Sequence, residues 1–408
     1  MKRNAIHALQ TWKENLCPTL FYLHGVRGTG KTYLAYEFAK DYFDSFFYFN
    51  CETAGTASTQ LEELSLEETS SFFSAYFETS KELLHSSLLI LDEISFCPTF
   101  FQRLLAQPSF FPFCLVLSSY QTVDRQKRSH ITELTLYPLQ FDEFLAATGH
   151  DWYIEVIEAH YKSRKKIPDI VHQDLLSIFD EYLWIGGMPD CINEYLNMDS
   201  ALNLPERQKL QRIRLLYEIS QGSEDTLSFK CQQMYSVIED QLAKHNQKFQ
   251  FNRIRKGTTF QMYKDALAFL EQHGFVYRVN ELEKEQSFKL FYSDFALHTA
   301  GGMDGLGEEE RSLRIQNYIV QTFFQKDFDF HFWESKSQAS LDYVLTGENC
   351  FFPVELKLDH RNKAKSIFSF QQTHRTGKNI RISDSNFVEN DEFFNLPLYS
   401  AFCMQKFS

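Results

Sequence analysis

Apolar positions along this chain change their period twice. Over roughly the first 140 residues, short apolar runs alternate with helical segments: TLFYL (19–23), FFYFNCE (46–52), SSLLILDE (86–93), FCLVLSSY (113–120) and ITELTLYPL (131–139) read as strands. In SSLLILDE the four residues before the final two acids are all apolar, as in a strand buried on both faces of a parallel sheet. From Phe141 to about Ser200 the period is helical, and IGGMPD (185–190) supplies two glycines to end one helix with Pro189 placed to open the next. A tight turn is the expected role of Gly186 to Pro189, and a lid over nucleotide is the functional alternative.

Residues 206–295 read as three helices, ERQKLQRIRLLYEIS, MYSVIEDQLAKH and TFQMYKDALAFLEQHG, followed by two alternating runs about a charged turn in FVYRVNELEKEQSFKLFYSD. That order suits a winged helix, with Arg253, Arg255 and Lys256 just before a last helix that also carries Asp265 and Glu271. AGGMDGLG (300–307) is the clearest linker, and EEERSLRIQNYIVQTFFQK opens a further domain with an amphipathic helix. The expected organisation is therefore 1–145, 146–205, 206–299 and 300–408.

Composition adjusts this picture only slightly. A chain of 408 residues suits two or three domains, and 43% apolar with 23% charged residues excludes general disorder. The 41 Phe and 20 Tyr are read as codon bias in core positions and carry no functional conclusion. Eight cysteines without a CxxC pair look like reduced core thiols. The amino terminus is amphipathic, with Ile6, Leu9, Trp12 and Leu16 on one side, and no apolar run reaches the ~20 residues of a membrane helix. A cytoplasmic protein without membrane contact is expected. The net charge of −13 repels nucleic acid, so such binding must come from local basic patches.

Candidate chemistry lies at both ends of the chain. Gly25-Val-Arg-Gly-Thr-Gly30-Lys31-Thr32 joins a strand to a helix and satisfies G-x-x-x-x-G-K-[ST]. Gly25, Gly28 and Gly30 let the backbone wrap phosphates, Lys31 reaches the β and γ phosphates of ATP, and Thr32 offers a hydroxyl to Mg²⁺. At the end of the third strand, Asp92 suits the outer shell of that Mg²⁺ and Glu93 suits polarising the attacking water. Ser118 and Ser119 close the fourth strand, where either can sense the γ-phosphate or serve as a plain turn residue. Arg125 and Arg128 follow as candidates to stabilise transferred phosphate in their own subunit or in a neighbour, with a solvated loop the expected role of each taken singly; a homo-oligomer is a further expectation.

The phosphate loop, LLILDE, LTLYPLQFDEFL and YLWIGGMPDCINEYL together resemble the AAA-type ATPases of archaea and bacteria in which an ATPase domain precedes a winged-helix segment and a C-terminal restriction-endonuclease-like domain. The resemblance covers nearly the whole chain, with Gln140 where the family usually has Ser. It implies an α/β fold: a P-loop AAA+-type parallel sheet, a helical and winged-helix middle, and a C-terminal α/β nuclease-like domain. Defence or mobile-element control is the biological setting expected.

In VELKL the side chains alternate, which places Glu355 and Lys357 on one face; pairing of LDYVL with it across TGENC brings Asp342 near Glu355. Two carboxylates and a backbone carbonyl can hold Mg²⁺ or Mn²⁺, with Lys357 beside the attacking water. Asp342 and Glu355-x-Lys357 match the PD-(D/E)xK pattern position by position, whereas a supporting Glu of related sequences is matched here by Gln316. A surface ion pair is the alternative reading of the same residues. Downstream, Lys357, Arg361, Lys363, Lys365, Arg375, Lys378 and Arg381 share a segment with the single acid Asp359, an expected track for a nucleic-acid backbone, DNA foremost, with a solvated helix as the alternative.

Overall fold

The computed structural model describes residues 1–15, 19–120, 131–197, 203–221, 225–298, 306–335, 339–358 and 364–406. The chain forms two compact units: Lys2–Tyr137 with Gln272–Gly274, and Pro138–Glu271 with Phe275–Ser408.

The first unit is built on strands β1 (Phe21–His24), β2 (Phe46–Asn50), β3 (Leu88–Asp92), β4 (Cys114–Ser118) and β5 (Thr132–Thr135). They form one sheet in the order β2-β3-β4-β1-β5, and every pairing is parallel. Parallel neighbours need crossovers, and helices Lys31–Tyr42, Thr56–Glu63, Leu66–Tyr76, Lys81–Ser86 and Pro98–Ala106 supply them between successive strands from β1 to β4. The alternation along β3 shows why its whole run is apolar. Leu89 and Leu91 enter a core with Phe49, Phe73 and Phe100 on one face, while Leu88 and Ile90 enter a core with Leu34, Phe38 and Trp12 on the other. Aromatic rings fill much of this interior, with Phe73 edge-on to Phe49 at 5.3 Å. Each buried ring contributes about 1.5–3 kcal/mol.

The second unit begins with helices Phe141–Ala147, Asp151–Ser163, Asp169–Ile185 and Pro189–Leu196, followed by Leu204–Gln221, Asp225–Ser236, Ile238–Leu242 and Phe260–Gln272. Hairpin β6 (Val276–Glu281) and β7 (Lys284–Tyr292) comes next, then helix Glu308–Gln325. Strands β8 (Phe330–Glu334), β9 (Ser340–Thr346) and β10 (Phe351–Lys357) lead to helix Ala364–Gln371, and the chain closes with β11 (Asn379–Ser383), β12 (Val388–Glu389) and β13 (Phe393–Pro397).

All eight of these strands form one mixed sheet, ordered β12-β13-β11-β10-β9-β8-β6-β7. The hairpin expected as a wing is thus a continuation of the C-terminal sheet. Glu281 pairs with Phe332 in parallel, Leu282 N donates to Phe332 O at 2.8 Å, and strand pairing runs across the expected 299/300 boundary. The end of β6 is thereby joined to β8 at Glu281. Helix Glu308–Gln325 adds a second seam, because buried Asn317 accepts from Tyr292 N at 3.0 Å and donates to Tyr292 O at 2.9 Å. Most of the linker AGGMDGLG lies outside the described residues; its last residue, Gly307, caps this helix, and Glu308, Glu309 and Glu310 occupy the positive first turn.

The IGGMP segment is the expected tight turn, with a packing reason for both glycines. Gly186 has φ +94°, and a Cβ there would meet Ala296 Cβ at 2.5 Å; a Cβ on Gly187 would meet Leu139 O at 2.7 Å. Gly187 O accepts from Leu139 N at 2.7 Å, Tyr182 OH donates to Leu139 O at 2.6 Å, and Gly187 N donates to Asp294 Oδ2 at 2.9 Å. The YPL, IGG and YSD segments therefore meet at one point. Asp294 is buried, also accepts from Ala296 N at 2.8 Å, and is pushed up by burial to about 6. Arg314 is fully buried and caps the end of helix Asp169–Ile185 through Leu183 O (2.9 Å) and Trp184 O (3.0 Å), with Glu310 as its counter-charge at 2.8 Å.

The seven described cysteines are thiols, five of them buried. Among the described residues no helix is long and apolar enough to cross a membrane.

Candidate functional site

In the first unit the chain leaves β1 through Gly25 and enters helix Lys31–Tyr42 at Gly30, whose φ of +92° a side chain would strain. At Gly25, a Cβ would lie 2.2 Å from Leu136 O, so only glycine fits between the loop and its neighbour. The sheet order puts β1 between β4 and β5, and the carboxyl ends of β3 and β4 reach the same loop.

Lys31 is buried and its ammonium is held inside the loop, at 2.8 Å from Gly25 O, 3.3 Å from Val26 O and 3.2 Å from Ser119 Oγ. Thr32 Oγ1 donates to Asp92 Oδ2 at 2.7 Å. The same carboxylate accepts from Tyr48 OH at 2.7 Å and, through Oδ1, from Glu93 N at 2.9 Å. The Tyr48 hydroxyl is pushed up by burial, an effect deepened by Asp92, and so stays a proton donor to that carboxylate. Neutral donors hold Asp92 and leave its charge intact.

Glu93 turns the chain at φ +50°, in the left-handed region, and is 7% exposed. Its Oε1 accepts from Ser119 Oγ at 2.5 Å and its Oε2 from Ser119 N at 3.1 Å. Arg27 Nη2 lies 3.8 Å from Glu93 Oε1 but is closer to Glu52 Oε2, at 2.9 Å.

Of the two serines at the end of β4, Ser119 touches the site. Ser118 is turned back on the chain, donating to Tyr120 O at 2.6 Å and accepting from Tyr120 N at 3.1 Å. Tyr48, Arg27 and Arg3 join the site although sequence reasoning does not single them out. Arg3 is buried and donates to Thr29 O and Tyr137 O, each at 2.6 Å, which ties the loop to the end of this unit. Arg27 is legible as a charge inside the loop; nothing local marks Arg3. Arg125 and Arg128 lie outside the described residues.

The second candidate lies within the other unit. β9 and β10 are antiparallel, and the register that pairs Tyr343 with Val354 carries Asp342 to Glu355, as the hairpin reading expects. Asp342 Oδ2 accepts from Leu356 N at 2.9 Å. Glu355 is 3% exposed and its Oε2 accepts from Arg381 Nε at 2.9 Å. Arg381 comes from β11, directly beside Glu355 in the parallel register, and its guanidinium lies 4.1 Å over the Phe393 ring. Lys357 is exposed at the strand end. Gln316 is engaged elsewhere, accepting from Gln247 Nε2 at 2.9 Å.

Among the described residues no group of three or more His, Cys, Asp or Glu is placed to hold a metal. The donor set of Thr32 and Asp92 fits a divalent cation beside phosphate. That of Asp342 and Glu355 does not, since a guanidinium already neutralises one of its two carboxylates. The basic track is also less open than its own segment implies, because acids outside the segment pair with Arg381 (Glu355) and Lys378 (Glu389, 2.7 Å). Lys365 and Arg375 are exposed; Asp359, Arg361 and Lys363 lie outside the described residues. Arg253, Arg255 and Lys256 are exposed before helix Phe260–Gln272.

Residues 18–145 match a family model described as an AAA domain, and residues 176–309 match one described as a domain of unknown function (DUF8612). A comparison with curated proteins returned no match. Among solved structures, the chain is similar to the Walker-type ATPase PABY2304 of Pyrococcus abyssi at 13% identity, covering 73% of this chain and 95% of that one with a TM-score of 0.44. It is also similar to the Aeropyrum pernix ORC1 protein in complex with DNA (12% identity, 77% and 91% covered, TM-score 0.31). A third similar structure is the RuvB Holliday junction branch migration motor of Thermotoga maritima (16% identity, 67% and 86% covered, TM-score 0.28). The match over 18–145 coincides with the parallel sheet and its glycine-rich loop. The first unit has the fold of an AAA-type P-loop ATPase domain, a class that takes ATP with a divalent cation.

Proposed function

We propose that this protein is an ATP-hydrolysing switch that engages nucleic acid, DNA foremost, through its second unit, and that its C-terminal sheet is a restriction-endonuclease-like domain. The observation that carries the first half is the 2.7 Å bond from Thr32 Oγ1 to Asp92 Oδ2, with Glu93 beside it on Ser119. Lys31 and the loop amides bind the β and γ phosphates, and Thr32 with Asp92 holds Mg²⁺. The cation neutralises charge on the phosphate oxygens when bound. Glu93 orients a water and accepts its proton as the water oxygen bonds the γ-phosphorus and the bond to the departing diphosphate breaks. Ser119 fixes the carboxylate that does this and touches Lys31 as well, so a change at the phosphates is felt at Glu93.

The nuclease-like reading rests on the succession of helix Glu308–Gln325, strands β8 to β10, helix Ala364–Gln371 and β11, with Asp342 facing Glu355 and Lys357 two residues on. A second reading, a regulatory ATPase scaffold whose terminal domain binds without cutting, is favoured by one observation: the ion pair between Arg381 and Glu355. Phosphate release with and without DNA or RNA, on the unaltered protein and Lys31→Ala, tests the ATPase and its coupling. Turnover that Lys31→Ala leaves unchanged would refute the site. Mg²⁺- or Mn²⁺-dependent cleavage that disappears in Asp342→Asn would refute the scaffold reading.

A further inference from the structure

We infer that Arg381 takes the place of a divalent cation in the C-terminal sheet, so that the site of Asp342, Glu355 and Lys357 works without metal. The inference rests on the nuclease-like reading of this sheet and specifies what that site has become.

Three observations converge on Arg381. Its Nε–H donates to the buried Glu355 carboxylate at 2.9 Å. Its guanidinium plane is held 4.1 Å over Phe393. Its backbone is set beside Glu355 by the β10–β11 register, so the contact is built into the sheet and not made by a wandering side chain. A guanidinium is protonated at every accessible pH and its planar fork suits a carboxylate. A hard divalent ion at the same point needs several oxygen ligands, and the described residues bring only two carboxylates, with a fixed positive charge beside one of them. The helix before this hairpin brings no further acid from Gln316, a neutral amide whose oxygen is bound to Gln247. Lys357, two residues beyond Glu355, leaves its ammonium exposed at the strand end, which suits contact with a phosphodiester.

The test is a titration of the full-length, nucleotide-free protein with MnCl₂, following the free-ion signal by electron paramagnetic resonance. The unaltered protein and Asp342→Asn should take up Mn²⁺ identically. Arg381→Met should gain one further Mn²⁺ per chain, lost again in Arg381→Met/Asp342→Asn. MnCl₂ should raise the unfolding midpoint of Arg381→Met by about 5 °C at a hundredfold excess over Kd, with no such rise in the parent. If the parent binds an ion that Asp342→Asn loses, the inference is overturned and the nuclease-like reading stands. If a folded Arg381→Met gains none, both fall. The first comparison decides the matter even where Arg381→Met does not fold.

Discussion

Each unit carries a pair of acids on or beside its strands, and the two pairs are held in opposite ways. Asp92 and Glu93 are held chiefly by hydroxyls and backbone amides: Thr32, Tyr48, Ser119 and the chain itself. Neutral donors orient a carboxylate and leave its charge available, so this pair still attracts a cation. Glu355 is instead held by a guanidinium, which satisfies the charge itself. Similar acids at strand ends therefore do not imply similar chemistry; the donors around them decide whether a metal has any reason to bind.

The largest expected effects lie in the first pair. Glu93→Gln should keep nucleotide binding and lower phosphate release by about 10²–10⁴-fold, the usual worth of a general base, while Lys31→Ala should lose both; single-turnover phosphate assays with a nucleotide-binding measurement separate them. In the second pair the loss should appear as stability. Arg381→Met removes a charged partner of a buried carboxylate and should cost up to about 3–5 kcal/mol by denaturant unfolding, whereas Arg381→Met/Glu355→Gln should recover most of it. Equal loss in the double variant would show that the guanidinium matters for packing and not for charge.

Acid should act next. His273 and His298 are pushed down to about 4, chiefly by burial, so between pH 6.5 and 4 the unfolded chain binds more protons than the native one. Their contribution is whole above pH 6.5 and is lost as pH falls, by about 3 kcal/mol each. Asp294, raised to about 6, works in the opposite sense: its native state keeps a proton between pH 6 and 3.8, which partly offsets that loss. Asp294→Asn should therefore steepen the acid decline, as read by unfolding midpoints between pH 4 and 7. The smallest effect is reserved for Tyr48→Phe, which removes one neutral donor from Asp92 and should weaken Mg²⁺-dependent activity only several-fold, for a loss of about 1 kcal/mol.

What the sequence discloses follows from how local each signal is. The strands of the first unit, the loop at Gly25 to Thr32 and the acids closing β3 are written in contiguous residues, and all appear where their periodicity puts them. The Asp342–Glu355 juxtaposition is also local, because a short hairpin fixes its own register. Arg381 belongs to a strand reached only after a crossover helix, so its place beside Glu355 is set by a parallel pairing that no run of residues announces. Periodicity does not separate Ser119 from Ser118, because the last residue of a strand can face either way; the turn at Tyr120 settles which hydroxyl meets Glu93. Arg3 acts from a point 26 positions before its partner Thr29, with nothing periodic to mark it.

The seam between β6 and β8 governs how this protein can be cut into pieces. Severing the chain at residue 300 would part Glu281 and Leu282 from Phe332 and leave Tyr292 without the amide of Asn317. Fragments ending or starting at that linker should clump through those raw borders, and a truncation that begins near Pro138 is the shorter piece with a prospect of staying in solution.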